Sequence, residues 1–110
     1  MTVTVRNMAG NALVATASTA VFTVSAGAKD VIRGAVAYAA TAATLTLDKV
    51  PSGVTAVSTA TRIGIFTLTA QQSRVMSELL NQVFEAGDSL WASTSITSAI
   101  ALQIGGARIT

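Results

Sequence analysis

Residues 44–53 read Thr-Leu-Thr-Leu-Asp-Lys-Val-Pro-Ser-Gly, and this stretch decides the fold class. Leu45 and Leu47 alternate with polar residues, so both point to one side of an extended chain while the intervening threonines point to the other. Pro51-Ser-Gly53 follows, and these residue types favour a turn. The pattern predicts a β-strand that buries one of its two faces.

Short segments of the same kind recur along the chain, and turn residues separate them at intervals of about ten positions. Met8-Ala-Gly-Asn11 is one of the predicted turns. The further predicted strands cover residues 2–6, 21–24, 29–40, 62–68, 72–76 and 100–104, and one more begins at Asp88. We expect a single all-β domain over residues 1–110, an antiparallel β-sandwich of jelly-roll type with seven to eight short strands and one short helix.

The expected helix lies where two periodicities overlap. The apolar residues that fit one helix face are Val75, Met76, Leu79, Leu80, Val83 and Phe84. We expect a short strand over Gln72–Met76, followed by a two-turn helix over Glu78–Phe84. Ser77 would cap its N-terminus, and Gly87 would stop the chain after it.

The segment Lys29–Ala40 is rich in alanine, yet it alternates with a period of two. Ile32, Val36 and Tyr38 share one face of the predicted strand. Ala35, Ala37 and Ala39 share the other, which we expect to be the small, flat outer face. Such a face has two interpretations: an exposed strand surface of low energetic cost, or a surface on which a neighbouring subunit packs closely.

The chain carries little charge and lacks residue types on which many catalytic and metal sites depend. Only 11% of its residues are charged, the net charge is +2, and it has no His and no Cys. A Ser-His-Asp triad, a Cys-His pair and a thiolate or imidazole metal site are therefore excluded. Glu85 and Asp88 flank Gly87, which favours a capped turn over a catalytic carboxylate pair or a Ca²⁺ site. We expect no enzymatic activity, no metal and no cofactor.

The same composition limits the partners. The seven basic residues are scattered singly, so we expect no nucleic acid. No apolar run approaches the roughly 20 residues of a membrane span, and the first residues alternate rather than forming a secretory signal. A surface made largely of Ser, Thr, Ala and Val is poorly protected against association, so a protein partner is expected. The candidate contact residues are Thr2, Val3, Thr4, Val5, Ala35, Ala37, Ala39 and Trp91.

Three segments resemble a known class of proteins. Phe22-Thr-Val-Ser-Ala-Gly27 resembles the Tyr-Thr-Val-Pro-Ala-Gly opening of small structural proteins of tailed-phage virions. The segment from Ser77 to Leu90, which contains Phe-Glu-Ala-Gly-Asp, is similar to their central Leu-Glu-Ala-Gly-Asp turn, and Ala101–Thr110 is similar to their closing strand. The chain departs from the pattern at Ser25, where proline is usual, and at Ala107-Arg108, where Val-Glu is usual.

The resemblance implies a compact jelly-roll sandwich, often trimeric, on the surface of a virion. The chain would then be a capsid decoration (cement) protein, made in the cytoplasm of a bacterial host, whose partners are its own copies and the major capsid or other virion proteins. The alternatives are a neck or tail-fibre component, or a carbohydrate- or receptor-binding jelly-roll module. That module would use the loops Val54–Ala60 and Ser93–Thr97.

Overall fold

The computed structural model describes residues 1–10 and 13–110, which form nine β-strands and one turn of 3-10 helix, Ser77–Leu79. The strands are β1 Val3–Leu13, β2 Thr19–Thr23, β3 Lys29–Ala39, β4 Ala43–Val50, β5 Arg62–Leu68, β6 Gln72–Val75, β7 Val83–Phe84, β8 Ser89–Thr94 and β9 Ile100–Ile109. The all-β prediction is confirmed, with more and in part longer strands than the sequence suggested.

Two antiparallel sheets face each other like the halves of a sandwich. Sheet A has the strand order β1-β9-β3-β6, and the short β7 also pairs with β3. Sheet B has the order β2-β8-β4-β5. Leu45 and Leu47 on β4 are fully buried, as their alternation predicted, and Leu102 and Ile104 on β9 pack in the same core. Full burial of each such side chain stabilises the fold by about 1.5–3 kcal/mol.

The alanines of β3 face the core, so the prediction that Ala35, Ala37 and Ala39 form an outer surface is wrong. Their exposed fractions are 2%, 0% and 0%, whereas Tyr38 is 41% exposed. The reason is a shift of register against β9 between Ile32 and Gly34, which exchanges the two faces of the strand from that point on. The small alanines share the core with large side chains of the other sheet, among them Leu45 and Leu47.

The predicted helix over Glu78–Phe84 is also wrong. Only Ser77–Leu79 forms a 3-10 turn, and Ser77 does not cap it, because the position before the turn is Met76 and no side-chain cap is made. Asn81 then adopts a positive φ of 65°, and its backbone N–H donates to the carbonyl of Ile32. The segment pairs with β3 instead of forming a helix. Pairing gives its backbone groups hydrogen-bond partners in the sheet, whereas an isolated two-turn helix is only marginally stable.

Two further local predictions are corrected in sheet A. Strand β1 continues through Met8–Gly10, so the turn predicted there is wrong, and Asn11 lies outside the described residues. The last strand does not end at residue 104 as predicted, because β9 continues through Gly105-Gly106 and the irregularities lie in the neighbouring strands. Gly106 faces inward, where a Cβ would collide with the carbonyl oxygen of Val31. Only glycine allows three strands to approach at this point.

Candidate protein–protein interface

The outer face of sheet A carries mainly aliphatic side chains, and Asn7, Ser73 and Gln103 are polar positions among them. Strand register aligns Val5, Ala107, Val31 and Val83 in one row across four strands. A second row contains Gln103, Val36 and Val75, so one polar side chain lies beside the two valines. We call this surface the valine face, and it consists of Val3, Val5, Val31, Val36, Tyr38, Val75, Val83, Ala101, Ala107 and Ile109.

Several of these side chains are open to solvent to a degree that is costly for valine. Val5 is 88% exposed, Val75 61% and Val3 57%. Isolated exposed apolar residues are normal, but contiguous rows of them across a sheet are typical of a surface that another molecule covers.

A shallow trough crosses the centre of the valine face. It follows the row Asn7–Gly105–Gly34, in which two of the three positions have no side chain. The space over this row comprises two adjoining concavities of about 430 and 640 Å³. A Cβ on Gly34 would meet no atom within 4 Å, so the trough is an open feature of the surface rather than a product of tight packing.

Little charge reaches the valine face. Lys29 lies at its rim and pairs with Glu85 at 3.3 Å, and Arg33 donates to the side-chain oxygen of Asn81 at 3.3 Å.

Each of the five carboxylates already has a partner inside the chain. These partnerships are Asp30 with Arg108, Asp48 with Arg62, Glu78 with Arg74, Glu85 with Lys29, and Asp88 with the backbone N–H groups of Ser52 and Glu85.

The outer face of sheet B has a different composition. Thr46 lies between Ser93 and Ile65 in one row, and Thr44 pairs with Thr67 in the next. Hydroxyl groups can hydrogen-bond to water, so this face is hydrated at little cost without carrying charge. Trp91 lies on this side of the sandwich, half-buried, and its Nε1 donates to Oγ of Ser89 at 2.8 Å.

The structure therefore divides the eight residues predicted for an interface. Val3 and Val5 belong to the valine face, while Thr4 lies in the row of Arg108 and Asp30 on the opposite side of sheet A. Thr2 is exposed beyond the first residue of β1 and pairs through its backbone with Thr110. The alanines of β3 are in the core, and Trp91 lies on the other sheet.

Sequence reasoning missed the valine face because it assumed an unbroken alternation along β3. The signal was present at Arg33-Gly34, where a charged residue and a glycine interrupt an otherwise apolar strand. A glycine inside a strand often marks a bulge. A bulge at that point reverses the assignment and moves Val36 and Tyr38 to the outside.

The most deeply buried charge in the molecule is structural. Asp30 is 0% exposed, and Arg108 donates two hydrogen bonds to it, from Nε to Oδ1 at 2.8 Å and from Nη2 to Oδ2 at 2.9 Å. Arg6 adds a second cation at 4.0 Å, and Arg108 also donates to Oγ of Ser25 at 2.8 Å. The hydrogen bond to Asp30 raises the pKa of the Arg108 guanidinium above its usual value. It ties together β1, β9 and β3 at one end of sheet A.

The turn containing Glu85 and Asp88 is capped, as predicted. Oδ2 of Asp88 accepts from the backbone N–H of Glu85 at 3.0 Å, and Oδ1 accepts from that of Ser52 at 3.1 Å. Both carboxylate oxygens of Asp88 therefore accept hydrogen bonds from backbone N–H groups.

Among residues 1–10 and 13–110, no three His, Cys, Asp or Glu side chains come together as metal ligands would. In the same part of the chain, no helix has the length and apolar character needed to cross a membrane.

Comparison of the chain with protein-family models, with curated proteins and with solved structures found no match.

Proposed function

We propose that this chain is a non-enzymatic structural protein of a bacteriophage virion, a homotrimeric capsid decoration (cement) protein that works by packing against other protein chains. The observation that carries the proposal is the valine face. A sheet surface of this composition is unfavourable in water, and its burial between subunits removes that cost.

The size of this surface supports the proposal. The molecule measures 43 Å by 27 Å by 18 Å, and the two stacked sheets account for the shortest dimension. Its broad side is on the order of 1,000 Å², compared with about 800 Å² per partner in a standard protein–protein interface. Burial of the apolar part, at about 25 cal/mol per Å², acts against the entropic cost of association.

The strand order supports a jelly roll. If β6 and β7 are taken as one interrupted strand, the chain has eight strands that pair first with last, second with seventh, third with sixth and fourth with fifth. This is the pairing of a long antiparallel hairpin rolled into two sheets. The remaining pairings, β9 with β3 and β8 with β4, close the roll. Jelly rolls of this kind are common in viral capsid proteins, in agreement with the resemblance noted from the sequence.

The oligomeric state tests the proposal directly. Size-exclusion chromatography with light scattering at about 5 µM should give three times the 11.1 kDa chain mass, because the resemblance to virion structural proteins implies a trimer. Val36→Lys places a charge in the middle of the valine face and should give monomers. Thr67→Lys adds the same charge to the exposed outer face of sheet B and should leave the trimer intact.

Circular dichroism must show that both variants are folded, because the comparison depends on intact sheets. A wild-type chain that is monomeric, and that fails to bind purified phage shells lacking it, would refute the proposal. If Val36→Lys is still a trimer, the chain is an oligomer but the valine face is not its contact surface.

A further inference from the structure

The hydrogen-bond phase of β1 determines which of its backbone groups are free. Thr2 and Thr110 exchange both backbone hydrogen bonds at 2.9 Å, and the register from Val3↔Ile109 to Asn7↔Gly105 is unbroken. In an antiparallel ladder such bonded pairs alternate with non-bonded pairs. The N–H and C=O groups of Val3, Val5 and Asn7 therefore point away from β9, toward the open edge of sheet A.

Within residues 1–10 and 13–110, no other segment satisfies these groups. Among the described backbone hydrogen bonds outside the ladders, none involves Val3, Val5 or Asn7. β1 is the edge strand of sheet A, and its 11 residues make it the longest edge strand in the molecule. The opposite edge consists of four- and two-residue strands separated by the 3-10 turn.

The β1 edge also lacks the features that normally prevent pairing. Edge strands are commonly protected by lysine, proline or an inward-pointing charge in the exposed register. Between Thr2 and Met8 the only charged residue is Arg6, and its side chain turns toward Asp30 at 4.0 Å. The exposed register itself carries two valines and an asparagine.

We propose that β1 pairs with β1 of a second copy of this chain, antiparallel, about a two-fold axis at Val5. The inference rests on the proposed function, because it adds a second contact to the same self-assembly. Val5 lies opposite Val5 of the copy, and Val3 lies opposite Asn7. All free groups of both strands are at odd-numbered positions, so this arrangement forms six backbone hydrogen bonds and leaves none of these donors unpaired.

Charge and surface composition favour the same occupant. In this register Arg6 lies opposite Thr4 of the copy, so like charges are not directly paired across the strands. The two valine faces become continuous, because the outer side of sheet A extends from one chain into the next. In a decoration layer, this contact links neighbouring trimers across a two-fold axis.

Proline at position 5 is a selective test. The N–H of Val5 is not used within the chain, so Val5→Pro leaves the β1–β9 ladder intact and removes a donor needed only between copies. The matched control, Val5→Thr, keeps the N–H and a β-branched side chain. Val3→Pro repeats the test at a second free position, and thermal unfolding verifies that each variant is folded.

Light scattering over a concentration series from about 5 to 500 µM is the readout. We expect the mass of the wild-type chain and of Val5→Thr to rise from three chain masses to six and beyond, because each chain of a trimer carries one β1 edge. In Val5→Pro and Val3→Pro the further association beyond the trimer should be weakened tenfold or more relative to wild type and Val5→Thr, by lost bonds and steric conflict, on the order of 1.4 kcal/mol.

Each outcome is decisive. Identical mass profiles for wild type and for both proline variants overturn the inference, and a trimer at all concentrations then leaves the proposed function standing. A wild-type dimer that the proline variants abolish supports the edge pairing while refuting the trimer. A chain that stays monomeric at 500 µM overturns both the edge pairing and the proposed trimer. The same result is expected if the β1 edge pairs only with a strand of a different protein, which is absent from the sample.

Discussion

Replacement of Arg108 by methionine leaves the carboxylate of Asp30 buried without its main cation. Asp30 is fully buried, and both of its oxygens are bound by Arg108, at 2.8 and 2.9 Å. Removal of one partner of a buried ion pair costs about 3–5 kcal/mol, because the remaining charge is left uncompensated. Arg6 is already 4.0 Å away and compensates in part, so we expect a cost near the lower limit, about 3 kcal/mol.

Urea denaturation followed by the fluorescence of Trp91, the only tryptophan, measures this cost. With a slope of about 2 kcal/mol per M for a chain of this size, Arg108→Met should lower the midpoint by roughly 1.5 M. All variants are compared at one protein concentration, because association adds to apparent stability.

Two further variants show whether the reasoning is correct. Lys29→Met removes a cation from the exposed pair with Glu85, next to Asp30 on the same strand, and should cost less than about 1 kcal/mol. Asp30→Asn in the Arg108→Met background removes the buried charge and should recover a large part of the loss. If Arg108→Met is as mild as Lys29→Met, Asp30 does not depend on Arg108 and the account of this end of sheet A is refuted.

Two other predictions concern packing and pH. Gly106→Ala places a Cβ against the carbonyl of Val31 and should destabilise the fold by about 3 kcal/mol, measured by thermal unfolding. Gly105→Ala is the control, because its Cβ meets no atom closer than 3.8 Å and should be tolerated. The pKa of Glu78 lies below its usual 4.5, because its own backbone N–H and then the Arg74 side chain hydrogen-bond its carboxylate. Its contribution to stability is therefore present above pH 4.5 and is lost as the pH falls through the lower folded-state pKa. In a carboxyl NMR titration, Arg74→Met should move the midpoint back toward 4.5, and an unchanged midpoint would contradict this assignment.

The sequence was sufficient to predict the fold class because its strongest signal is local. The alternation around Leu45 and Leu47 is unbroken, and both residues are buried as it requires. Turn residues then limit the strands to lengths that fit a sandwich. These features depend only on neighbouring residues, so no tertiary information was needed.

The errors share a cause: each depended on contacts between distant parts of the chain. The shift at Gly34 is defined against β9, and it decides which side of β3 faces the core. The segment after Ser77 has a helical pattern, but Val83 pairs with Val31 instead. The burial of Asp30 likewise depends on Arg108, 78 positions further along the chain. Periodicity within one segment carries no information about such partners.

The candidate interface was predicted only in part for the same reason. Val3 and Val5 were candidates because the first strand was expected to pair with a neighbouring subunit, and the structure places both on the exposed side of sheet A. The rest of the valine face comes from four other strands, and only the sheet register brings it together. The low overall charge predicted that a partner covers some part of the surface, but it gave no indication of which part.

Tyr38, the only tyrosine, provides the most direct test of whether the valine face is buried in the native assembly. It is 41% exposed in the single chain, and it lies on that face. Hydroxyl-radical labelling with mass spectrometry should find Tyr38 protected in wild type and in Thr67→Lys, and several-fold more reactive in Val36→Lys. Equal reactivity of Tyr38 in all three proteins would mean that this face is open to solvent, and the central claim would be wrong.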